Sequence, residues 1–196
     1  MLFLVLAIIF GSLGCSAPQL KRGRLVNEFN IQKKISPEER RIAVCVEEFT
    51  TAKSISDPHV IGDARVGVFN VHSEIRSEDP TQLVLANELK RAFLLAGFKI
   101  GEKGKSDIIV SGQIERFWVD ENIGGITENA KASVRYDIIV KDKEGRFVWG
   151  KSIERRKVSG KSIDATKDNI PTLMDALRKS IESIFEDESF WNAIKR

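Results

Sequence analysis

The chain has 196 residues, of which 42% are apolar and 30% are charged, which is enough apolar material for one folded domain. This balance excludes a disordered chain and a protein with many membrane spans. The 31 basic and 28 acidic residues are mixed along the chain, and the net charge is only +3. Nucleic-acid-binding proteins concentrate basic residues with aromatic ones in one stripe, so we expect no nucleic-acid partner.

Residues 1–14 read MLFLVLAIIFGSLG and carry no charged side chain. The apolar run from Leu2 to Phe10 is too short to cross a membrane as a helix, which needs about 20 residues. It has instead the length of the apolar centre of a secretory signal peptide, and small residues follow it. We therefore predict that 1–14 is a signal peptide.

The residues before Cys15, Ser12-Leu13-Gly14, resemble the lipobox of bacterial lipoproteins. That resemblance implies cleavage before Cys15, lipidation of its thiol and acyl chains such as palmitate. Ser12 and Leu13 reverse the usual order and no basic residue precedes the apolar run, which fits a loose signal or a start further upstream. The alternatives are a secretory peptide with an incidental cysteine and a buried N-terminal strand.

Ser16, which follows Cys15, resembles the corresponding residue of outer-membrane lipoproteins. The expected location is therefore the outer membrane, with the protein facing the periplasm. Cys45 is the one other cysteine, so lipidation of Cys15 leaves no pair for a disulfide. Cys45 lies among apolar residues with no histidine near it in sequence, and we interpret it as a small buried side chain.

Residues 15–41 are polar and mostly basic, which predicts a lipidated cysteine followed by a flexible basic tether. The piece LVNEF, at 25–29, has the alternative of packing on the domain as an edge segment. The folded domain is predicted at 42–196.

The predicted domain contains one strand, a helix, three further strands and a second helix. A segment that is apolar on both faces indicates the central strand, and alternation with a period of two indicates the later strands. Apolar residues spaced three and four apart indicate the helices. In chain order the pattern predicts a strand at 42–49, a long loop at 50–79, a helix at 80–96 ended by Gly97, strands at 106–120, 130–142 and 146–158, and a helix at 168–186. This order predicts an α+β domain of two layers, with a mostly antiparallel sheet of about four to five strands and two helices on one face.

The face of this sheet turned away from the helices is predicted to be polar. On it, Arg135 is a candidate interface residue. Phe117 and Trp118 lie at a strand end. They are candidate interface residues, and the alternative is that they pack in the core or at its rim. Phe190 and Trp191, near the C-terminus, fit core packing or an exposed docking edge, because large aromatic side chains are favoured at interfaces.

Motifs for catalysis or cofactor binding are missing from the sequence, including the glycine-rich, zinc-protease and serine-hydrolase patterns. His59 and His72 fall in the predicted long loop, where solvated histidines are expected; a weak metal site with Asp57 and Asp63 is the alternative. We therefore predict no catalytic residue, no metal and no cofactor.

Several segments together resemble the YajG-type family of bacterial lipoproteins. They are the lipobox, IAVCVEEF followed by IGDARVG, LVLANELKRAFLLAGFKI, SDIIVSGQIERFWVD, and AKASVRYDIIV with the hairpin after it. The resemblance covers about 42–194. It implies a lipid-anchored periplasmic domain without assigned catalysis and, more distantly, an auxiliary lipoprotein of an envelope transport system.

Two functions are consistent with this sequence. The first is a non-catalytic binding or scaffold module that docks an envelope protein, such as a transport complex. The second is a carrier of a lipid or other amphiphile in a cavity between helices and sheet. The apolar residues expected to line that cavity are Leu85, Leu89, Phe93, Tyr136, Ile138, Leu177 and Ile181.

The lipidation hypothesis predicts that Cys15→Ser abolishes acylation and releases the protein from the membrane fraction. The reason is that the lipid is attached to the cysteine thiol, which serine lacks. The matched control, Cys45→Ser, keeps the lipid. Intact mass spectrometry of detergent-extracted protein and membrane fractionation measure both. A wild-type mass corresponding to an unmodified cysteine would refute lipidation.

Overall fold

The computed structural model describes residues 19–21, 28–36, 42–66, 71–124, 127–160 and 168–195. Cys15 and the predicted signal peptide lie outside these residues. The described chain forms nine strands in one mixed sheet, with three helices. The strands are β1 (Gln19–Leu20), β2 (Ala43–Val46), β3 (Thr50–Thr51), β4 (Val60–Val66), β5 (Val71–Ser77), β6 (Lys99–Ile100), β7 (Ile108–Gly124), β8 (Thr127–Asp142) and β9 (Phe147–Val158). The helices are α1 (Thr81–Leu95), α2 (Asn169–Phe185) and α3 (Glu188–Ile194).

Strand β7 is the central strand of the sheet. Along one edge it pairs antiparallel with β8 over almost its whole length, and β8 pairs antiparallel with β9. Along its other edge three short strands pair with it in parallel and in succession: β2, then β3, then β4. The sheet extends further through β6 beside β2, and through β5 and β1 beside β4.

The predicted α+β class and two-layer arrangement are confirmed, but the predicted sheet of four to five mostly antiparallel strands is wrong. Residues 50–79, predicted as a loop, contain β3, β4 and β5. These strands bury few apolar side chains, chiefly Ile61, Ala64 and Ile75, so their sequence lacks a clear alternation. Their backbone hydrogen bonds to β7 and to each other hold them in the sheet instead.

Strand β8 alternates as its sequence predicts. Its even-numbered side chains face the helices and are buried: Ala130, Ala132, Val134, Tyr136, Ile138 and Val140. The hydroxyl of Tyr136 lies 3.3 Å from the Oγ of Ser180 on α2, which ties the sheet to the helix layer. Gly145, with φ of 83°, makes the predicted turn into β9. Gly97, with φ of 96°, ends α1 as predicted.

The third helix, α3, corrects the predicted number of two helices. Its N-cap is Asp187, whose carboxylate accepts a hydrogen bond from the backbone N–H of Ser189 at 2.9 Å. Its aromatic side chains close one end of the core against α1, α2 and β9. Ring centroids lie 5.2 Å apart for Phe190 and Trp149, and 5.6 Å apart for Phe190 and Trp191. The indole N–H of Trp191 donates to the carbonyl of Phe185 at 2.7 Å.

Two described parts of the predicted flexible tether pack on the domain. Strand β1 pairs with β5, and its Leu20 is buried. Residues 28–36, which we call the N-terminal strap, lie against the helices and bury Ile31 and Ile35. The backbone N–H of Asn30 donates to Glu182 on α2 at 2.6 Å, and Lys33 pairs with Glu188 on α3 at 2.6 Å.

Because Trp191 is 1% exposed, we predict that Trp191→Ala lowers the free energy of unfolding by about 3–5 kcal/mol through the cavity it leaves. The control is Leu94→Ala on α1: Leu94 is 55% exposed, so its change stays within about 0.5 kcal/mol. Urea unfolding measures both. Equal midpoints for the two variants would contradict this packing.

The contribution of Asp187 to the free energy of unfolding should depend on pH. The Lys151 ammonium, with the hydroxyl and backbone N–H of Ser189, lowers the pKa of Asp187 to about 2. Its stabilising contribution is complete above the unfolded pKa of about 3.9 and is lost as the pH falls through the folded value. We therefore expect Asp187→Asn to cost about 1 kcal/mol at pH 7, allowing for partial solvation of the pair.

This cost should shrink as the pH falls from about 4 to about 2. The exposed neighbour Glu186 provides the matched control, Glu186→Gln. Urea unfolding at a series of pH values separates the two variants. A cost for Asp187→Asn that stays constant down to pH 2 would contradict the assignment.

Candidate functional site

A β-bulge in β7 decides which side chains reach the outer face of the sheet, the face turned away from the helices. The register with β8 shifts between Ile114 and Arg116. Ile114 is buried on the inner face, and the next buried side chain is Phe117, three residues later instead of two. The extra residue therefore places Arg116 and Trp118 on the outer face, where unbroken alternation would turn them inward.

Two adjoining clefts meet at Trp118: the first opens on this outer face, and the second extends beside β4 to the start of α1. The first has a volume of about 570 Å³ and the second about 440 Å³. Both are lined by Glu115, Arg116 and Trp118, so they form one continuous depression, which we call the outer groove. The first cleft is completed by Asp120, Lys131, Ala132, Ser133, Arg135, Glu154, Arg156, Lys157 and Val158. The second is completed by Ser54, Ile55, Ser56, Asp57, Val60, Glu74, Thr81 and Phe117.

Trp118 stands between the two clefts. It is half-buried, whereas Trp149 and Trp191 are buried in the core. Its indole N–H donates a hydrogen bond to the carboxylate of Asp120 two residues along β7. This bond fixes the orientation of the ring while part of its surface stays accessible. The groove therefore has an oriented aromatic surface at its centre.

Cations are more numerous than acids around the first cleft. Arg116 and Arg135 stand directly opposite each other on β7 and β8. Arg116 is 3.9 Å from Asp120, while Arg156 and Glu154 on β9 pair with each other at 2.7 Å. Across the described chain, no side-chain hydrogen bond or ion pair involves Arg135 or Lys131.

The structure separates the five predicted interface residues into two groups. Trp118 and Arg135 line the outer groove. Phe190 and Trp191 are 0% and 1% exposed. Phe117 is 4% exposed, with its side chain on the inner face, where it borders the second cleft. The predicted docking edge at Phe190 and Trp191 is therefore corrected: these rings close the core, because α3 folds back onto α1, α2 and β9.

Sequence reasoning missed Arg116 and the second cleft. A signal was present in the segment QIERFW, where the buried positions Ile114 and Phe117 are separated by two residues instead of one. Such a break in alternation is typical of a bulge, and bulges are frequent beside functional sites. Most of the other residues that line the second cleft come from 54–60, inside the predicted loop. The sequence pattern therefore gave no reason to expect them beside β7.

The two histidines and Cys45 lie outside the groove in ordinary structural surroundings. His59 Nδ1 lies 3.0 Å from the carbonyl of Ser77, and His72 pairs with Asp63 at the surface. Burial raises the pKa of the Cys45 thiol, which keeps it protonated. In the described part of the chain, no three His, Cys, Asp or Glu side chains come together as metal ligands do.

The seven residues expected to line a lipid cavity are at most 1% exposed and belong to the continuous apolar core. They contact one another across the helix–sheet interface, and the clefts described above have other linings. Among the described helices, none has both the length and the apolar character needed to cross a membrane.

The fold and the groove define a small α+β domain with a groove beside its central strand. A family model described as "Uncharacterized lipoprotein" matches residues 67–195, about two thirds of the chain. The chain belongs to this family, which is the YajG-type family that its sequence resembles. A comparison with curated proteins finds no match.

Solved structures share the fold at low sequence identity. Protein XCC0632 from Xanthomonas campestris is 14% identical, with a TM-score of 0.56, over 91% of this chain and 95% of its own. A second, uncharacterized protein is 10% identical, also with a TM-score of 0.56, over 87% of this chain and 97% of its own. At these identities the likeness shows the fold alone.

Proposed function

We propose that this chain is a lipid-anchored, non-catalytic binding module of the bacterial cell envelope that docks a partner protein in its outer groove. The expected location is the outer membrane, facing the periplasm, and the family resemblance implies a transport complex as the partner. The observation that carries the proposal is the outer groove itself, which combines an oriented tryptophan with Arg135 and Lys131, two cations that have no side-chain partner among the described residues.

The composition of the groove favours a protein partner. Tryptophan and arginine are the residues that most often dominate binding energy at protein interfaces, and Trp118, Arg116 and Arg135 lie side by side here. The remaining lining is polar and charged, which suits the rim of a protein interface better than a site for acyl chains.

The position of the anchor supports a module that works close to the membrane. Gln19 is fixed in β1, four residues after Cys15. Four residues of extended chain span at most about 14 Å. A lipid on Cys15 would therefore hold the β1–β5 edge of the sheet near the bilayer surface. The N-terminal strap packs on the helices and therefore does not cover the outer groove.

The proposal predicts that a photo-crosslinking amino acid at Ser133, which lines the groove opposite Trp118, captures a distinct envelope protein in living cells. The same amino acid at Lys141 serves as the matched control, because Lys141 lies on the same strand and outer face, beyond the groove lining. Gel separation and mass spectrometry of the crosslinked bands measure capture in the full-length, membrane-bound protein.

Introducing Trp118→Ala into the Ser133 crosslinking variant should reduce capture by about tenfold or more, since truncation of an aromatic anchor typically costs 2 kcal/mol or more. Circular dichroism and the urea midpoint establish that this variant is folded. Identical capture at the two crosslinking positions, or capture indifferent to Trp118, would refute the groove as the docking site.

A further inference from the structure

The strongest unexplained feature of the outer groove is a pair of like charges. Arg116 on β7 and Arg135 on β8 are directly opposite each other, and like charges in this position destabilise a sheet. Both are exposed, and Arg116 is immediately next to the bulge that turns it outward. A sheet stabilised only by its own contacts would gain by replacing either arginine.

Nearby acids only partly compensate this pair. Asp120 accepts the indole N–H of Trp118 and lies 3.9 Å from Arg116, at the limit of an ion pair. Glu154 stands opposite Arg135 on β9 but bonds to Arg156. Lys131 adds a further cation to the same cleft. A carboxylate placed between the two guanidinium groups would offset their mutual repulsion and accept hydrogen bonds from both.

We propose that the outer groove binds an extended, acidic segment of the partner protein, with a carboxylate held between Arg116 and Arg135 and an adjacent apolar side chain on Trp118. This inference rests on the proposed function and adds the chemistry of the ligand. The groove crosses Trp118 from the arginine pair to Ser54 and Ser56, so a chain laid along it meets charged, aromatic and hydroxyl groups in turn.

Glu115 supports a peptide over a phosphate. Its carboxylate lines both clefts next to the arginines and, among the described residues, has no side-chain partner. A doubly charged phosphate would meet this negative charge on one side. An extended peptide presents backbone N–H donors to Glu115 while its own carboxylate contacts the arginines.

The test is a titration of the isotopically labelled full chain in detergent with a short peptide of glutamate and leucine. The matched probe has lysine in place of glutamate, and inorganic phosphate is the third probe. NMR resolves the indole N–H of each tryptophan, so binding in the groove should shift the Trp118 signal and leave those of Trp149 and Trp191 in place. The shift should occur with the acidic peptide and vanish at high salt.

Arg135→Gln should weaken binding of the acidic peptide by about tenfold or more, as expected for loss of a charged hydrogen-bond partner. Its urea midpoint should stay the same or rise, because the repulsion with Arg116 is removed. The matched control is Lys141→Gln on the same strand and face, which should leave binding unchanged. A fall in the Arg135→Gln midpoint would assign this arginine to stability and overturn the inference.

Equal binding of the lysine peptide, or a Trp118 shift produced by phosphate in preference to the acidic peptide, would also overturn it. These failures are distinguishable from failure of the proposed function. A partner captured at Ser133 in cells, together with no acidic-peptide binding, would leave the docking site standing and refute only the acidic ligand.

Discussion

The rest of the structure depends on the pairing of β7 along both of its edges. Its antiparallel edge to β8 holds the meander that carries the outer groove, and its parallel edge gathers β2, β3 and β4 in succession. A central strand with both edges paired has its backbone groups satisfied on each side, so its course is tightly constrained. A change of register in β7 must therefore move the core and the surface together.

The bulge after Ile114 shows this coupling at the level of side chains. One extra residue turns Phe117 into the core and Trp118 to the outer face, where Asp120 holds its indole. The arginine pair has the same origin, because the bulge brings Arg116 opposite Arg135. The proposed binding chemistry is thus a direct consequence of a local irregularity in an otherwise regular sheet.

The inner face of the sheet packs against the helices, whereas the outer face carries the groove. The inner face is fully used by the helices, and the aromatic rings of α3 complete that layer. The N-terminal strap packs on the same side, through Asn30 and Lys33, and β1 joins the sheet at its β5 edge. The described N-terminal segments and the core thereby occupy one side and one edge of the domain, and neither covers the outer groove.

The sequence by itself determined the helices α1 and α2, the strands β7, β8 and β9, the buried face of β8 and the turns at Gly97 and Gly145. These features follow from local periodicity and from glycine's access to positive φ, which neighbouring residues encode. It also determined the family resemblance and the expected lipid anchor at Cys15.

Only the tertiary structure decided the pairing of β3, β4 and β5, the burial of Phe190 and Trp191, and the position of the N-terminal strap. Strands with few apolar side chains are held by backbone bonds to distant residues, which leave no local pattern. An aromatic pair near a chain end is equally compatible with a docking edge and with a core until its neighbours are known. The arginine pair likewise exists only because two strands meet in one register.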